Sequence, residues 1–422
     1  MTGLWGCSSP APESAASGSG ASARSRPEII RINVDPIARN LALTEQLAAE
    51  FTSATGTRIE IIKGPTDATE RLSQYLQYLG AHSPDIDIYQ IDVIWPGVLA
   101  EHLVDLAGAF DQERAEFFEP IVRNNTVDGR LVGIPWFADA GVLYYRTDLL
   151  EKYGLSVPKT WDELGAAART IQEGERAAGT ADFWGFVFQG KAYEGLTCNA
   201  LEWIASSGGG TIVDADGGVS VNNEAAARAV SRMAGWVGTI APPGVTTYQE
   251  EEARQLFQSG RVAFMRNWPY AYALTHSQDS PVHGKVGLAA LPAGPGGRAS
   301  ALGGWQLAVS KYSRNPEAAT EFVRLLTSRE AQKRRALEAS LLPSRPALYD
   351  DPEIATAIPF IPQMKEIFLN ATPRPSAQTG ARYNEVSTEF FQAVHRVLTG
   401  EQPPDVSLAA AERALKEVLG RP

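Results

Sequence analysis

Between Glu28 and Ile91 three apolar runs alternate with two amphipathic segments, and this alternation limits the possible folds more than any other feature of the chain. Glu28–Val34 (EIIRINV) reads as a first strand. Within Leu41–Thr55, Leu43, Leu47, Ala48 and Phe51 recur at helical spacing, and Gly56 follows as a C′ residue. Arg58–Ile62 (RIEII) is a second strand. Asp67-x-x-Glu70 has the form of a capping box and starts a helix through Leu79. Asp87–Ile91 (DIYQI) is a third strand. Strand, helix, strand, helix, strand in this order predicts an α/β fold, a mainly parallel sheet with helices on both faces.

The same reading extends along the chain. Strands are expected around Leu131–Pro135 and at Gly141–Tyr145, Phe183–Gln189, Val262–Met265, Val286–Ala290 and Leu302–Val309. Thr160-x-x-Glu163 opens a helix with a second capping box. Further helices cover Gly195–Ser206, Glu224–Val237, Glu250–Gln258 and Pro316–Leu326, the last with Asn315 as N-cap and Pro316 at N1. From Pro352 onward the pattern is mostly helical. A length of 422 residues suggests two or three domains, and lobes of about 150–200 residues bury adequate cores. A formal net charge of −11 argues against a nucleic-acid partner, whose phosphates would be repelled. No stretch approaches the roughly 18 consecutive apolar residues of a membrane span.

Phe264–Ala273 (FMRNWPYAYA) concentrates Trp268, Tyr270 and Tyr272 around Pro269. Pro269 fixes its own φ and pushes Trp268 out of helical geometry, so Trp268 is expected where a strand stops and a new element begins. Ligands of open α/β sheets are held at such strand ends. Flat aromatic faces there suit a pyranose, with its apolar C–H faces and hydroxyl edges. The competing reading is that these aromatics are core.

Cysteine is sparse. Cys198 lies in an apolar run and reads as a buried helix residue. The five histidines are scattered, and no metal-ligand spacing, catalytic Cys/His grouping or cofactor motif is present. Cys7 follows Leu4-Trp5-Gly6 and precedes a run rich in Ser, Ala and Gly, which reads as a disordered tether over 1–27. Leu-x-Gly-Cys resembles the lipidation site of bacterial lipoproteins, whose Cys is acylated. This reading expects charged and apolar signal regions ahead of the given start; the competing reading is a tail with a stray cysteine.

Four segments carry a wider resemblance: Ser83–Gly97 (SPDIDIYQIDVIWPG), Pro135–Arg146 (PWFADAGVLYYR), Asn267–Tyr272 (NWPYAY) and Gly303–Val309 (GGWQLAV). With them the chain, from about Glu28 to Leu419, resembles the extracytoplasmic solute-binding proteins of sugar ABC importers, in their trehalose/maltose-binding branch. The resemblance implies a two-lobed periplasmic-binding-protein fold of type II, each lobe a doubly wound mixed sheet flanked by helices, with a multi-segment hinge. It divides the chain into an N-terminal lobe (28–138 and 295–341) and a C-terminal lobe (139–294 and 342–422). The crossings fall near Ala138–Gly141, Leu291–Pro295 and Leu342–Pro346.

The resemblance also implies the site. Asp92 and Asp139 would accept hydrogen bonds from sugar hydroxyls, and charge-assisted bonds of this kind contribute about 1.5–3 kcal/mol. Helix capping or a surface turn is their alternative. Trp268 and Trp305 would stack on the sugar, with Tyr270 beside them and Gly304 allowing close approach. Tyr193 and Glu194 would contact it from the second lobe, although a glutamate in a first helical turn also complements the helix dipole. Arg71 and Arg382 would donate to hydroxyls, against an exposed or salt-bridged role for each. The run Glu250–Glu252 holds one candidate acceptor, but such runs more often begin solvated helices.

The function so implied is an ABC-transporter substrate-binding protein, monomeric and lipid-anchored outside the cytoplasm. It would capture α-linked disaccharides (trehalose, maltose or sucrose type) and deliver them to a membrane permease, without cofactor, metal or catalysis. The alternative is a surface-tethered glycoside hydrolase acting on α-glucosides, which would need two carboxylates across one scissile bond.

Overall fold

The computed structural model describes residues 29–420; the expected tether over 1–27 and Cys7 lie outside them. Among the described residues, twelve strands form three sheets. They are β1 (Ile29–Val34), β2 (Arg58–Lys63), β3 (Ile88–Asp92), β4 (Thr126–Val127), β5 (Arg130–Leu131), β6 (Ile134–Ala140), β7 (Val142–Arg146), β8 (Trp184–Val187), β9 (Val262–Asn267), β10 (Val286–Ala290), β11 (Leu302–Val309) and β12 (Leu342–Pro343). The larger sheet has the order β12-β6-β11-β3-β1-β2 and the second β10-β7-β9-β8, while β4 and β5 form a small hairpin. Each of the two main sheets is the centre of one lobe.

The mainly parallel expectation holds only for β2, β1 and β3. β11 runs antiparallel to both β3 and β6, and β12 antiparallel to β6. The reason is connectivity. β11 follows the second lobe's β10 through the Pro/Gly-rich link 291–301, and β6 leaves the first lobe into β7 across the single residue Gly141. Neither is tied to its sheet neighbours by the helical crossover that parallel pairing requires.

Helix α1 (Ala38–Thr55) ends on Gly56 at φ +78°. Helix α2 (Ala68–Gly80) is capped by Asp67, which accepts from the backbone N–H of Thr69 and Glu70; only the aspartate half of the expected capping box forms. At Thr160 both halves form. In the second lobe the helices Glu194–Ser206, Glu224–Trp236, Tyr383–Leu398 and Pro404–Val418 pack on one another.

The third expected crossing is displaced. β12 adds to the first lobe's sheet, and the helix Ile361–Leu369 packs against β6. Residues 342–369 thus build on the six-stranded sheet, and the chain leaves it only after Leu369. The Pro-rich run after Leu342 is an ordinary loop and 3-10 turn, a composition that hinge segments share.

Three chain segments meet where the lobes join. Ser300 Oγ donates to the Gly141 carbonyl at 2.6 Å, Thr372 N–H to Ser300 O at 2.7 Å, and Leu302 N–H to Thr372 O at 2.8 Å.

Candidate functional site

The central strand β11 sets the site. Its register pairs Trp305 with Asp92 at the end of β3, and Gly303 with Asp139 near the end of β6. Gly304, between them, lies at φ +128°, and a Cβ there would meet the Phe137 carbonyl oxygen at 2.8 Å. Only glycine fits that backbone at that separation. The two aspartates therefore stand on either side of β11, near Trp305, at the strand ends where open α/β sheets hold ligands.

The second lobe supplies the facing wall. β9 ends at Asn267, whose side chain accepts from the Trp268 N–H at 2.8 Å. Tyr144 donates from its hydroxyl to the Trp268 carbonyl at 2.8 Å, fixing the turn before the helix Ala271–Thr275. Trp268 is thus placed at the strand end that Pro269 implied. Its Nε1–H donates to Glu250 Oε1 at 3.3 Å, and the same carboxylate accepts from the Tyr193 hydroxyl at 2.6 Å. Tyr270 donates to Glu251 at 2.7 Å. Glu252 accepts from the Gln249 N–H and completes a capping box. Each member of the acidic run thus has a specific partner at the start of its helix.

A cleft of about 1080 Å³, counted with its open mouth, separates the lobes. Asp92, Asp139, Trp268, Tyr270, Trp305, Gly304, Arg71, Glu194 and Tyr193 all line it, together with Asp35, Asn40, Asp67's neighbours Thr66 and Ala68, and Gln249 to Glu252. Trp305 comes from the first lobe and Trp268 from the second.

Arg382 is corrected. It lies in the 3-10 turn Gly380–Arg382, half-exposed, and pairs with Glu385 at 2.8 Å one helical turn on. Arg374, eight residues earlier, lines the cleft together with Arg71. Arg374 is buried and bridges the lobes, giving 2.8 Å to Asp92 and 2.7 Å to Glu194. Burial works most strongly against its charge, but Asp92, Cys198, Tyr383 and Glu194 together outweigh it and hold the guanidinium well above its usual range. Glu194 also accepts from Tyr383 and Ser387, both at 2.6 Å. Its carboxylate is therefore engaged on both oxygens, and burial still pushes it above the usual range. Arg71 is buried as well. It donates to the carbonyls of Pro65 and Thr66, lies 3.6 Å from Asp35, and stacks 4.4 Å from the Trp305 ring centre.

Three buried atoms at this cleft make no hydrogen bond among the described residues: Asp139 Oδ1, Arg374 Nε and Arg71 Nη1. Unpaired buried polar atoms are costly and few in native proteins. Burial, reinforced by the neighbouring Asp92, raises the Asp139 carboxyl well above the carboxylate range. An acceptor and donors thus face a space walled by aromatic rings. The arrangement can bind a ligand with apolar faces and many hydroxyls.

The sequence pattern of the bacterial extracellular solute-binding proteins matches residues 37–333. The chain belongs to this family. A probable ABC transporter-binding protein of Deinococcus radiodurans is 50% identical over 377 residues, covering 89% of this chain and 90% of the relative. A mannitol-binding protein of Pseudomonas aeruginosa is 26% identical over 322 residues, 72% of each. Among solved structures, maltose-bound MalE3 of T. maritima superposes with a TM-score of 0.88 at 40% identity, covering 92% of this chain and 99% of that one. The two-lobed fold is that of these solute-binding proteins. As a member of an extracellular, non-enzymatic family, the protein works outside the cytoplasm and binds its solute without transforming it.

Proposed function

We propose that this solute-binding protein captures α-linked disaccharides of the maltose and trehalose type in the interlobe cleft and delivers them to the permease of an ABC importer. The observation that carries the reading is the pair Trp268 and Trp305, one indole from each lobe on a single cleft, with the unpartnered atoms Asp139 Oδ1 and Arg374 Nε beside them. Two aromatic faces suit two pyranose rings better than one open-chain polyol, and carboxylate and guanidinium groups orient hydroxyls. The likeness to a maltose-bound protein at 40% identity supports the same class. Contacts from the second lobe require a closed cleft, so ligand shifts the population toward closure. Cys7 carries the lipid, and the Ser/Ala/Gly-rich run behind it is the tether.

Calorimetry against maltose, trehalose, sucrose and D-mannitol tests the ligand class. The expected result is tight binding of a disaccharide recovered intact; preference for mannitol replaces the reading with a polyol receptor. Trp268→Ala weakens disaccharide binding by about 2 kcal/mol, as buried aromatic anchors do, and unchanged affinity removes Trp268 from the site. Cys7→Ser releases the protein from membranes if the anchor is as proposed.

A further inference from the structure

A wholly buried ion pair lies behind Trp268. Arg266 donates from Nε and Nη2 to the two carboxylate oxygens of Glu202, at 2.9 and 2.5 Å, and from Nη1 to Gln189 at 3.2 Å. Neither side chain has any exposure. Arg266 Cζ lies 4.0 Å from the centre of the Trp268 ring, and Arg266 does not itself reach the cleft. The guanidinium therefore lies against the indole from outside the cleft.

The same carboxylate reaches the junction of the lobes. Glu202 Oε1 accepts from the Ala301 N–H at 3.0 Å, at the end of the link into β11. A Cβ on Gly141, the residue between β6 and β7, would collide with Glu202 Oε1 and Arg266 Nη2. Two of the crossing segments thus touch the pair.

Stability alone does not account for such a pair. Desolvating two charges offsets most of their attraction, and well-packed apolar residues of the same volume often do as well. What an apolar pair lacks is a planar cation held against an indole face and a fixed acceptor for Ala301. Burial works against the charge on Arg266, yet Glu202 holds it above the usual range.

We infer that the Glu202–Arg266 pair is a positioning device for sugar recognition: it fixes the plane of Trp268 and ties that plane to the lobe junction, acting on affinity through the indole. This rests on the reading of Trp268 as a stacking face. Arg266 and Glu202 are positioning residues and touch no ligand.

The test is a double-mutant cycle on maltose affinity, measured by calorimetry on the full chain. Glu202→Gln with Arg266→Met removes both charges and keeps an acceptor for Ala301. In the Trp268 background it should weaken binding about five- to tenfold, less than the roughly thirtyfold that a whole desolvated cation–π contact of about 2 kcal/mol represents, because the ring itself remains. In the Trp268→Ala background it should change affinity less than twofold, because the indole it acts through is gone. Equal losses in both backgrounds overturn the inference and make the pair a scaffold element. If the neutralised pair does not fold, Arg266→Lys serves in its place. Lysine keeps the charge but not the flat fork, and the same dependence on Trp268 is expected. Unchanged affinity in Trp268→Ala alone would remove the sugar-stacking reading and this inference together. A large loss there with no loss from the pair variants would overturn only the inference.

Discussion

Lys191 and Asp67 join the two lobes across the mouth of the cleft: the ammonium of Lys191, just after β8, lies 2.9 Å from the carboxylate that caps α2. The two oxygens of Asp67 divide the work. Oδ1 accepts from the N-terminal N–H groups of its own helix, while Oδ2 accepts from Lys191 and, at 2.6 Å, from Gln249. Nearby, the Glu194 N–H donates to Thr69 Oγ at 3.2 Å. These bonds exist only when the lobes are together. Lys191→Ala and Gln249→Ala should therefore weaken every sugar by a similar factor, about threefold to tenfold, without changing their rank order. Asp67→Ala should also lower the thermal midpoint, because a lost N-cap costs about 0.5–2 kcal/mol. Calorimetry over several sugars, with melting curves, checks both; a change in rank order would make Lys191 a direct ligand contact.

Arg374 is held between Asp92 and Glu194, all three buried. Arg374→Met leaves two carboxylates facing each other without a cation. Breaking such a group typically costs about 3–5 kcal/mol. Glu194, whose carboxyl burial already holds above the usual range, can relieve the loss by taking up a proton, so the deficit should shrink as pH falls from neutral into the acid range. Denaturant melts of both proteins at neutral and acid pH read this directly, and a deficit independent of pH would place the cost in packing instead.

Arg374 also marks where sequence reasoning stopped. The strands Val286–Ala290 and Leu302–Val309 were legible to the residue, because Gly284-Lys285 and Pro292 bracket the first apolar run and Ser310-Lys311 closes the second. Trp268 was legible from Pro269, whose ring rules out a helical residue before it. Arg374 lies in a loop, where no periodicity marks one face as inward, and the resemblance to the family pointed to Arg71 and Arg382 instead. A signal was there: Pro373 and Pro375 flank Arg374 and hold it extended, as a long side chain reaching into a cleft needs. The pairing of Asp67 with Lys191 and Gln249 could not be read, since nothing local records which residues face each other across a closed cleft. The partly antiparallel larger sheet escaped for the same reason, being set by where the chain crosses between lobes.

Asp139 predicts a conflict between binding and stability. Burial first, and Asp92 next, raise its carboxyl well above the usual range. The folded state thus holds its proton to higher pH than the unfolded chain does. The stability linked to this group is fully present below the unfolded pKa and is lost as pH rises through the folded value. Asp139→Asn removes that loss. Its melting midpoint should exceed the parent's near neutral pH, by less at about pH 4, while its sugar affinity falls. Thermal melts across pH with calorimetry at neutral pH test the pair of effects. A variant less stable than the parent at neutral pH would mean that Asp139 is satisfied without ligand.

Gly304 gives the sharpest contrast between two glycines of positive φ. At Gly56, φ is +78° and a Cβ would meet nothing within 4 Å, so alanine there bears only the backbone cost, about 1 kcal/mol. At Gly304, φ is +128° and the Cβ would press on the Phe137 carbonyl oxygen at 2.8 Å and on Ala138 Cα at 3.2 Å. Those atoms belong to β6, which carries Asp139, and Gly304 directly precedes Trp305. Alanine at 304 must push β6 and β11 apart, so it should cost stability by about 2–4 kcal/mol and move Asp139 and Trp305 out of register. Gly56→Ala should keep full maltose affinity and Gly304→Ala should lose at least tenfold. Comparable affinity in the two variants would show that the site tolerates a shift between these strands.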